Sequence, residues 1–197
     1  LSRAQLAAIT GLNKTTVSSL VNQLLENQFL HEMGYGPAIS GRPGVLLELN
    51  PQVGSIIGLE IGVDFILLLL TDFQAQVLWR WEERDGDNQQ PEQVIQRAAQ
   101  IIDRAFAKSA ELGLAVLGMG VGIPGLVDVA TGTVLFAPNL HWRDVPVRAE
   151  LQKRFHIPIT VDNDANTAAL GEKYFGVARD SDIFIYLGAG VGLGGGV

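Results

Sequence analysis

The amino-acid sequence predicts an α/β protein preceded by a winged helix-turn-helix, and three observations carry that expectation. Two amphipathic helix patterns meet at Gly11 within the first 27 residues. Two short apolar runs then flank a tip rich in glycine and proline. From Ser55 onward strand patterns alternate with helix patterns, and Gly, Asp and Asn gather where the strands end. A parallel sheet keeps its ligand loops at that carboxyl edge.

The first helix is expected over 2–10, with Ser2 as its cap and Leu6, Ala7 and Ile9 on its apolar side. Gly11 suits the left-handed geometry that stops a helix, and Asn13 suits the cap of the next. That second helix runs from Lys14 to Asn27, with Val17, Leu20, Val21, Leu24 and Leu25 at three- and four-residue spacing. Phe29–Glu32 and Val45–Leu49 read as strands around Gly34-Tyr-Gly-Pro37 and Ser40-Gly-Arg-Pro-Gly44, the pattern of a wing. Asn50-Pro51 marks a linker. Ser55–Ile61, Phe65–Thr71 and Ala75–Trp81 follow as a three-strand meander. A helix from Pro91 to Leu112 carries Val94, Ile95, Ala98, Ile101, Ile102 and Ala105 on one face. Leu114–Ile123 is a strand ending in Gly122-Ile-Pro-Gly125, and Ile157–Val161 is another running into Asp162-Asn-Asp-Ala-Asn166. A helix over 165–175 and a strand over 182–187 lead into the glycine-rich turn Gly188–Gly196. The expected domains are 1–50, 51–180 as a first lobe, and 181–197 as the start of a second.

Composition narrows the function classes. With 47% hydrophobic and 18% charged residues the chain reads as globular. It has no cysteine, so a disulfide framework, a thiolate metal site and a cysteine nucleophile are excluded within these residues. No apolar run reaches the roughly 18 residues of a membrane span, and no signal peptide is evident, so a cytoplasmic location without membrane association is expected. Leu1 in place of methionine and Val197 inside a glycine run mark an expected piece of a longer chain. The net charge is −7, yet residues 1–50 balance Arg3, Lys14 and Arg42 against Glu26, Glu32 and Glu48. An acidic body with a neutral first segment meets DNA only through that segment.

Three constellations carry chemistry. On the second helix, Lys14 suits a phosphate, while Thr15, Thr16, Ser18 and Ser19 suit base edges or phosphates in a major groove. Arg42, in the extended wing tip, suits a narrow minor groove. So few cations require a homodimer, or a higher homo-oligomer, spanning two half-sites for useful affinity. The same polar residues equally suit the solvated face of an ordinary helical hairpin. Asp162-Asn163-Asp164, at a strand end, suits a ligand crevice in which a carboxylate accepts a hydroxyl proton, and one of the three also suits a helix cap. Asn139 in Ala137-Pro-Asn-Leu-His-Trp142 and the Gly122–Gly125 backbone could line the same crevice. The turn Gly188–Gly196 suits either a phosphate or close backbone packing.

In order, these pieces resemble the ROK family of repressors, open reading frames and sugar kinases. The resemblance rests on Ser2-Arg-Ala-Gln-Leu-Ala, Gly11-Leu, Thr16-Val-Ser, Gly41-Arg-Pro, Gly122-Ile-Pro-Gly125, Ala137-Pro-Asn-Leu140, Asp162-Asn-Asp-Ala-Asn166 with Gly171-Glu172, and Gly188–Gly196. It implies an actin-like sugar-kinase fold behind a DNA-binding domain, truncated in its second lobe, with a further helix before Leu1. It implies that Asn163 and Asp164 hold sugar hydroxyls with Gly125 and Asn139 nearby, and that Asp164 is the base in a kinase. The family's zinc motif of cysteines and a histidine would lie beyond Val197, so no metal or other cofactor is expected within these residues.

The family contains both enzymes and repressors. Its kinases carry a first turn resembling Asp-x-Gly-Gly-Thr-Lys that holds ATP phosphate, and the matching stretch here is Glu60-Ile-Gly-Val-Asp-Phe65. Val63 replaces a glycine, Asp64 sets an anion where phosphate would sit, and Phe65 replaces the lysine. Two unit charges about 4 Å apart at an effective dielectric of ~20 repel by roughly 4 kcal/mol. Ala189 likewise stands where the last turn would carry threonine. A sugar-responsive transcriptional repressor, binding operator DNA and a monosaccharide effector and lacking enzymatic activity, is therefore expected. A glucokinase-like, ATP-dependent sugar kinase with a fused DNA-binding domain, and a regulator with a vestigial sugar pocket, are the alternatives.

Overall fold

A computed structural model describes residues 1–36, 44–84 and 90–197, in two compact units. The first unit comprises Leu1–Gly54 with the Asp72–Gln76 turn. Helix α1 spans Arg3–Thr10 and α2 spans Lys14–Glu26, and β1 (Leu30–Tyr35) pairs antiparallel with β2 (Val45–Leu49). Ser2 and Gln5 form a reciprocal capping box at the start of α1. Gly11 closes α1 at φ 69°, and the Asn13 side chain caps α2 by accepting from the Thr16 amide at 2.8 Å. Ala7, Val17, Val21 and Leu47 form the small core, with Leu6, Leu25 and Leu30 packed on it. Residues 37–43, the middle of the expected wing tip with Arg42, lie outside the described residues.

The second unit holds the larger core. Its strands β3 (Ser55–Ile61), β4 (Phe65–Asp72) and β5 (Val77–Arg84) precede helix α3 (Pro91–Glu111). Then come β6 (Val116–Ile123), β7 (Leu126–Asp128), β8 (Thr133–Ala137), β9 (Trp142–Val145), α4 (Val147–Gln152), β10 (Ile159–Asn163), α5 (Asp164–Tyr174), β11 (Tyr186–Ala189) and β12 (Leu193–Gly196). The main sheet has the order β10-β6-β3-β4-β5, with β10, β6 and β3 parallel and β4 antiparallel to β5. A second sheet has the order β7-β8-β9, and β11 pairs with β12 alone among the described residues. Strand alternation turns Ile57, Leu59, Ile61, Met119, Val121, Ile123, Ile159 and Val161 into the core. Val94, Ala98, Ile101, Ile102 and Ala105 of α3 join them there. Burying one such aliphatic side chain stabilises the fold by about 1.5–3 kcal/mol. Among the described residues no helix is long and apolar enough to cross a membrane.

Several boundaries differ from expectation for physical reasons. The third strand begins at Val77 rather than Ala75, because the Asp72 carboxylate accepts from the Gln74 and Gln76 amides, both at 2.9 Å, and Ala75 adopts φ 64°. The last expected strand starts only at Tyr186, since Ile183 and Ile185 are exposed and find no partner strand among the described residues. The glycine-rich segment is an antiparallel hairpin with Ala189 opposite Leu193, not an irregular turn. The short elements β7, β8, β9 and α4 are additions to the expected set.

Candidate functional site

The three parallel strands β3, β6 and β10 end together, at Ile61, Ile123 and Asn163. Crevices outside such carboxyl ends are where open α/β sheets hold ligands. At this edge Glu60 pairs in register with Gly122, and Gly122 with Asp162, so the two acidic residues flank a bare backbone on one sheet face. Helix α5 starts over that glycine: a Cβ at Gly122 would lie 2.9 Å from Thr167 Oγ1 and 3.6 Å from Asp164 Cα. Burial, and next the charge of Asp164, hold the Glu60 carboxyl above the usual glutamate range.

Asn163 is locked. Its side-chain oxygen accepts from the Ala165 amide at 2.9 Å and the Asn166 amide at 3.2 Å, making it the cap of α5. Its Nδ2 donates to the Gly125 carbonyl at 2.9 Å. One amide hydrogen of Asn163 remains for a ligand. Gly125 itself sits at φ +115°, and a Cβ there would lie 2.4 Å from the Phe136 carbonyl oxygen, so glycine is required. Asp162 Oδ1 accepts from the Asn163 amide and from Asn166 Nδ2, and Asp164 Oδ1 accepts from the Ala165 amide at 2.8 Å. The second oxygen of Asp164 has no protein donor among the described residues. Asn139, in the 3-10 turn Pro138–Leu140, is exposed and its amide makes no hydrogen bond among the described residues. The structure thus joins Gly125 to Asn163 directly and places Asp164 next in the chain. It brings Asn139 to the glycine hairpin, since a Cβ at Gly192 would lie 3.0 Å from Asn139 Nδ2. Trp142 is fully buried in the core, and His141 closes the 3-10 turn at φ 57°.

Just past the end of β3 the chain closes on itself. The Gly62 amide donates to the Phe65 carbonyl at 2.8 Å, which makes Val63-Asp64 the corner of a tight turn. A Cβ on Gly62 would fall 2.2–2.6 Å from Phe65 ring atoms, so the ring lies against the Gly62 α-carbon. Asp64 is exposed. Water screens its charge, and a repulsion nearer ~1 kcal/mol than the ~4 expected from sequence follows. The Phe65 ring, rather than Asp64, is what covers the Gly62 α-carbon. The hairpin glycines also have packing partners: a Cβ at Gly194 would lie 3.0 Å from Ala165 Cβ, and one at Gly196 2.7 Å from the Ala165 carbonyl oxygen. The alternating apolar pattern of β3 already contains the facing of Glu60 toward α5. The packing of Gly194 and Gly196 on α5 has no local signal.

In the first unit, Lys14, Thr15 and Ser19 are exposed on α2, while Thr16 and Ser18 are half-buried beside Val17. Arg3 donates to Glu32 and to Asn22, which anchors it in the fold. Lys14 forms no ion pair among the described residues. Among those residues no three His, Asp or Glu side chains converge as a metal centre requires.

Comparison with known proteins places these features. The model of the ROK family matches residues 56–197. A xylose repressor of Caldicellulosiruptor bescii is 39% identical over 197 residues, all of this chain and 49% of that protein. The chain spans about half the length of the curated relatives it matches. The crystal structure of a ROK family transcriptional regulator, a homologue of the Escherichia coli Mlc protein, superposes with TM-score 0.81 at 26% identity, covering 99% of this chain and 49% of that one. A ROK family glucokinase from Streptomyces griseus, in complex with glucose and AMPPNP, superposes with TM-score 0.62 at 35% identity, covering 72% of this chain and 43% of that one.

Proposed function

The chain belongs to the ROK family, and from that premise we propose that it is part of a cytoplasmic, sugar-responsive transcriptional repressor without kinase activity. The observation that carries this reading is the closed turn at Gly62 and Phe65, beside the intact Asn163–Gly125 lock. A phosphate cradle needs bare glycine backbone open to the ligand, and here an aromatic ring covers it. The crevice lined by Gly125, Asn139, Asn163 and Asp164 keeps the amides and carboxylate that suit the hydroxyls of a monosaccharide. The match to the xylose repressor runs through the first 54 residues as well, and the glucokinase match covers 72% of the chain. The effector we propose is accordingly a pentose, with D-xylose as the first candidate.

The first unit is a winged helix-turn-helix in this reading. Lys14, Thr15 and Ser19 reach DNA from the exposed side of α2, with Thr16 and Ser18 nearer the backbone. Arg42, outside the described residues, is proposed for the minor groove. Two copies in a homodimer supply two half-sites. Sugar bound at Asp164 favours one arrangement of the lobes over another, and so shifts the population competent to hold both half-sites at once.

The test is fluorescence anisotropy of operator DNA with the full-length protein, with and without D-xylose, alongside a coupled ADP-release assay over a sugar panel. A sugar-dependent change in operator affinity without ADP release is expected. Sugar-dependent ADP release at ordinary kinase rates would replace this reading by the kinase one.

A further inference from the structure

The glycine hairpin β11–β12 has no part in the reading above. Ala189 pairs with Leu193, and the Gly190 amide donates to the Gly192 carbonyl at 2.9 Å to close the tip. Strand β12 lies on α5: Cβ atoms added at Gly194 and Gly196 would meet Ala165 Cβ at 3.0 Å and Ala169 Cβ at 2.8 Å. At the tip, two neighbouring glycines differ. A Cβ at Gly192 would reach Asn139 Nδ2 at 3.0 Å, whereas a Cβ at Gly190 would meet nothing within 4 Å.

We propose that the arm of this hairpin from Gly192 through β12 is a wall of the sugar crevice rather than a phosphate loop, with Gly190 outside it, and that Gly192 is a positioning residue which sets where the Asn139 amide points. The proposal rests on the sugar-sensor reading. An exposed asparagine with no hydrogen bond samples several rotamers, and the bare α-carbon of Gly192 limits that sampling on one side. The same hairpin is seated on Ala165, the residue after Asp164. Gly192 and Gly194 are two residues apart, about 7 Å of extended chain, so one short segment meets both the Asn139 amide and the start of α5. A methyl at 192 would displace the amide by a few tenths of an ångström. Asn139 is exposed and can give way, so the fold tolerates the change. A hydrogen bond to a ligand, which depends steeply on distance and angle, does not.

The experiment is calorimetric titration of D-xylose, with D-glucose as a parallel arm, into the full-length protein and its Gly192→Ala, Gly190→Ala, Asn139→Ala and Gly192→Ala/Asn139→Ala variants, with thermal melts of each. Gly192→Ala is expected to weaken binding about three- to tenfold, the value of one hydrogen bond, with its melting temperature unchanged. Gly190→Ala should bind as wild type, and Gly192→Ala should cost nothing further once Asn139 is alanine. Equal affinities for the two single glycine variants, or additive losses in the double variant, would overturn the role of Gly192 and leave the sugar sensor standing. A wild-type protein that binds neither sugar would remove the sensor reading, and the wall with it.

Discussion

Glu60 and Asp164 face one another where β3 ends and α5 begins, and the charge of Asp164, added to burial, raises the Glu60 carboxyl. The folded chain therefore holds that proton to a higher pH than the unfolded chain does. The contribution of this group to stability is fully present below the ordinary glutamate range and is lost as pH rises through the folded value. Glu60→Gln, with no charge to desolvate, should melt roughly 1–3 °C above wild type at pH 7, and the gap should close near pH 4. Thermal melts at the two pH values check this; an equal gap at both contradicts it.

The Asn163 side chain caps α5 through its oxygen and holds the Gly125 carbonyl through Nδ2. Asn163→Ala loses the cap of α5 and leaves the Gly125 carbonyl without its donor, and about 2 kcal/mol of stability should go with them. Asn163→Asp keeps an oxygen to cap the helix but turns a second carboxylate oxygen toward the Gly125 carbonyl, acceptor against acceptor, between Asp162 and Asp164. Denaturant melts should place Asn163→Asp no higher than Asn163→Ala at pH 7, and its sugar affinity should fall at least as far as that of Asn163→Ala.

Much of this arrangement is legible in the sequence because it is local. Ser2, Asn13 and Asn163 lie at helix starts where capping chemistry is a matter of three or four residues, and all three cap. The helix face of Val94, Ala98, Ile102 and Ala105 repeats at the helical period, and it is buried. The strands β7 to β9 carry no such signal, because each is three to five residues long and depends on distant partners. Arg148 donates to the carbonyls of Ala130 at 2.8 Å and Val129 at 2.6 Å, which fixes the β7–β8 turn from 18 and 19 residues away. The Phe65 ring on Gly62 shows the middle case: its residue type is readable as a misfit, its position on the glycine is not.

On α2 Lys14, Thr15 and Ser19 are exposed, and the proposed DNA contact divides them by charge, Lys14 suiting a phosphate and Thr15 and Ser19 suiting base edges. Lys14→Ala should weaken operator binding on all sequences and reduce the salt slope of log affinity by about 1, the value of a single neutralised phosphate. Thr15→Ala and Ser19→Ala should instead narrow the gap between operator and non-operator DNA. Anisotropy titrations over a salt series separate the two; an unchanged slope in Lys14→Ala removes its phosphate role.

The closed turn yields the sharpest test of the proposal that the chain lacks kinase chemistry. If the Phe65 ring is what bars phosphate from Gly62, removing it alone should uncover the Gly62 α-carbon with the backbone hydrogen bond of the turn kept, and the exposed Asp64 adds only a screened repulsion. Phe65→Ala should then gain measurable ATP-analogue binding in an equilibrium assay where wild type shows none. Adding Asp64→Thr should tighten it by less than about tenfold, in line with ~1 kcal/mol of screened charge. If Asp64→Thr alone restores binding while Phe65→Ala does nothing, electrostatics rather than steric closure keeps the nucleotide out, and the ranking of the two effects is reversed.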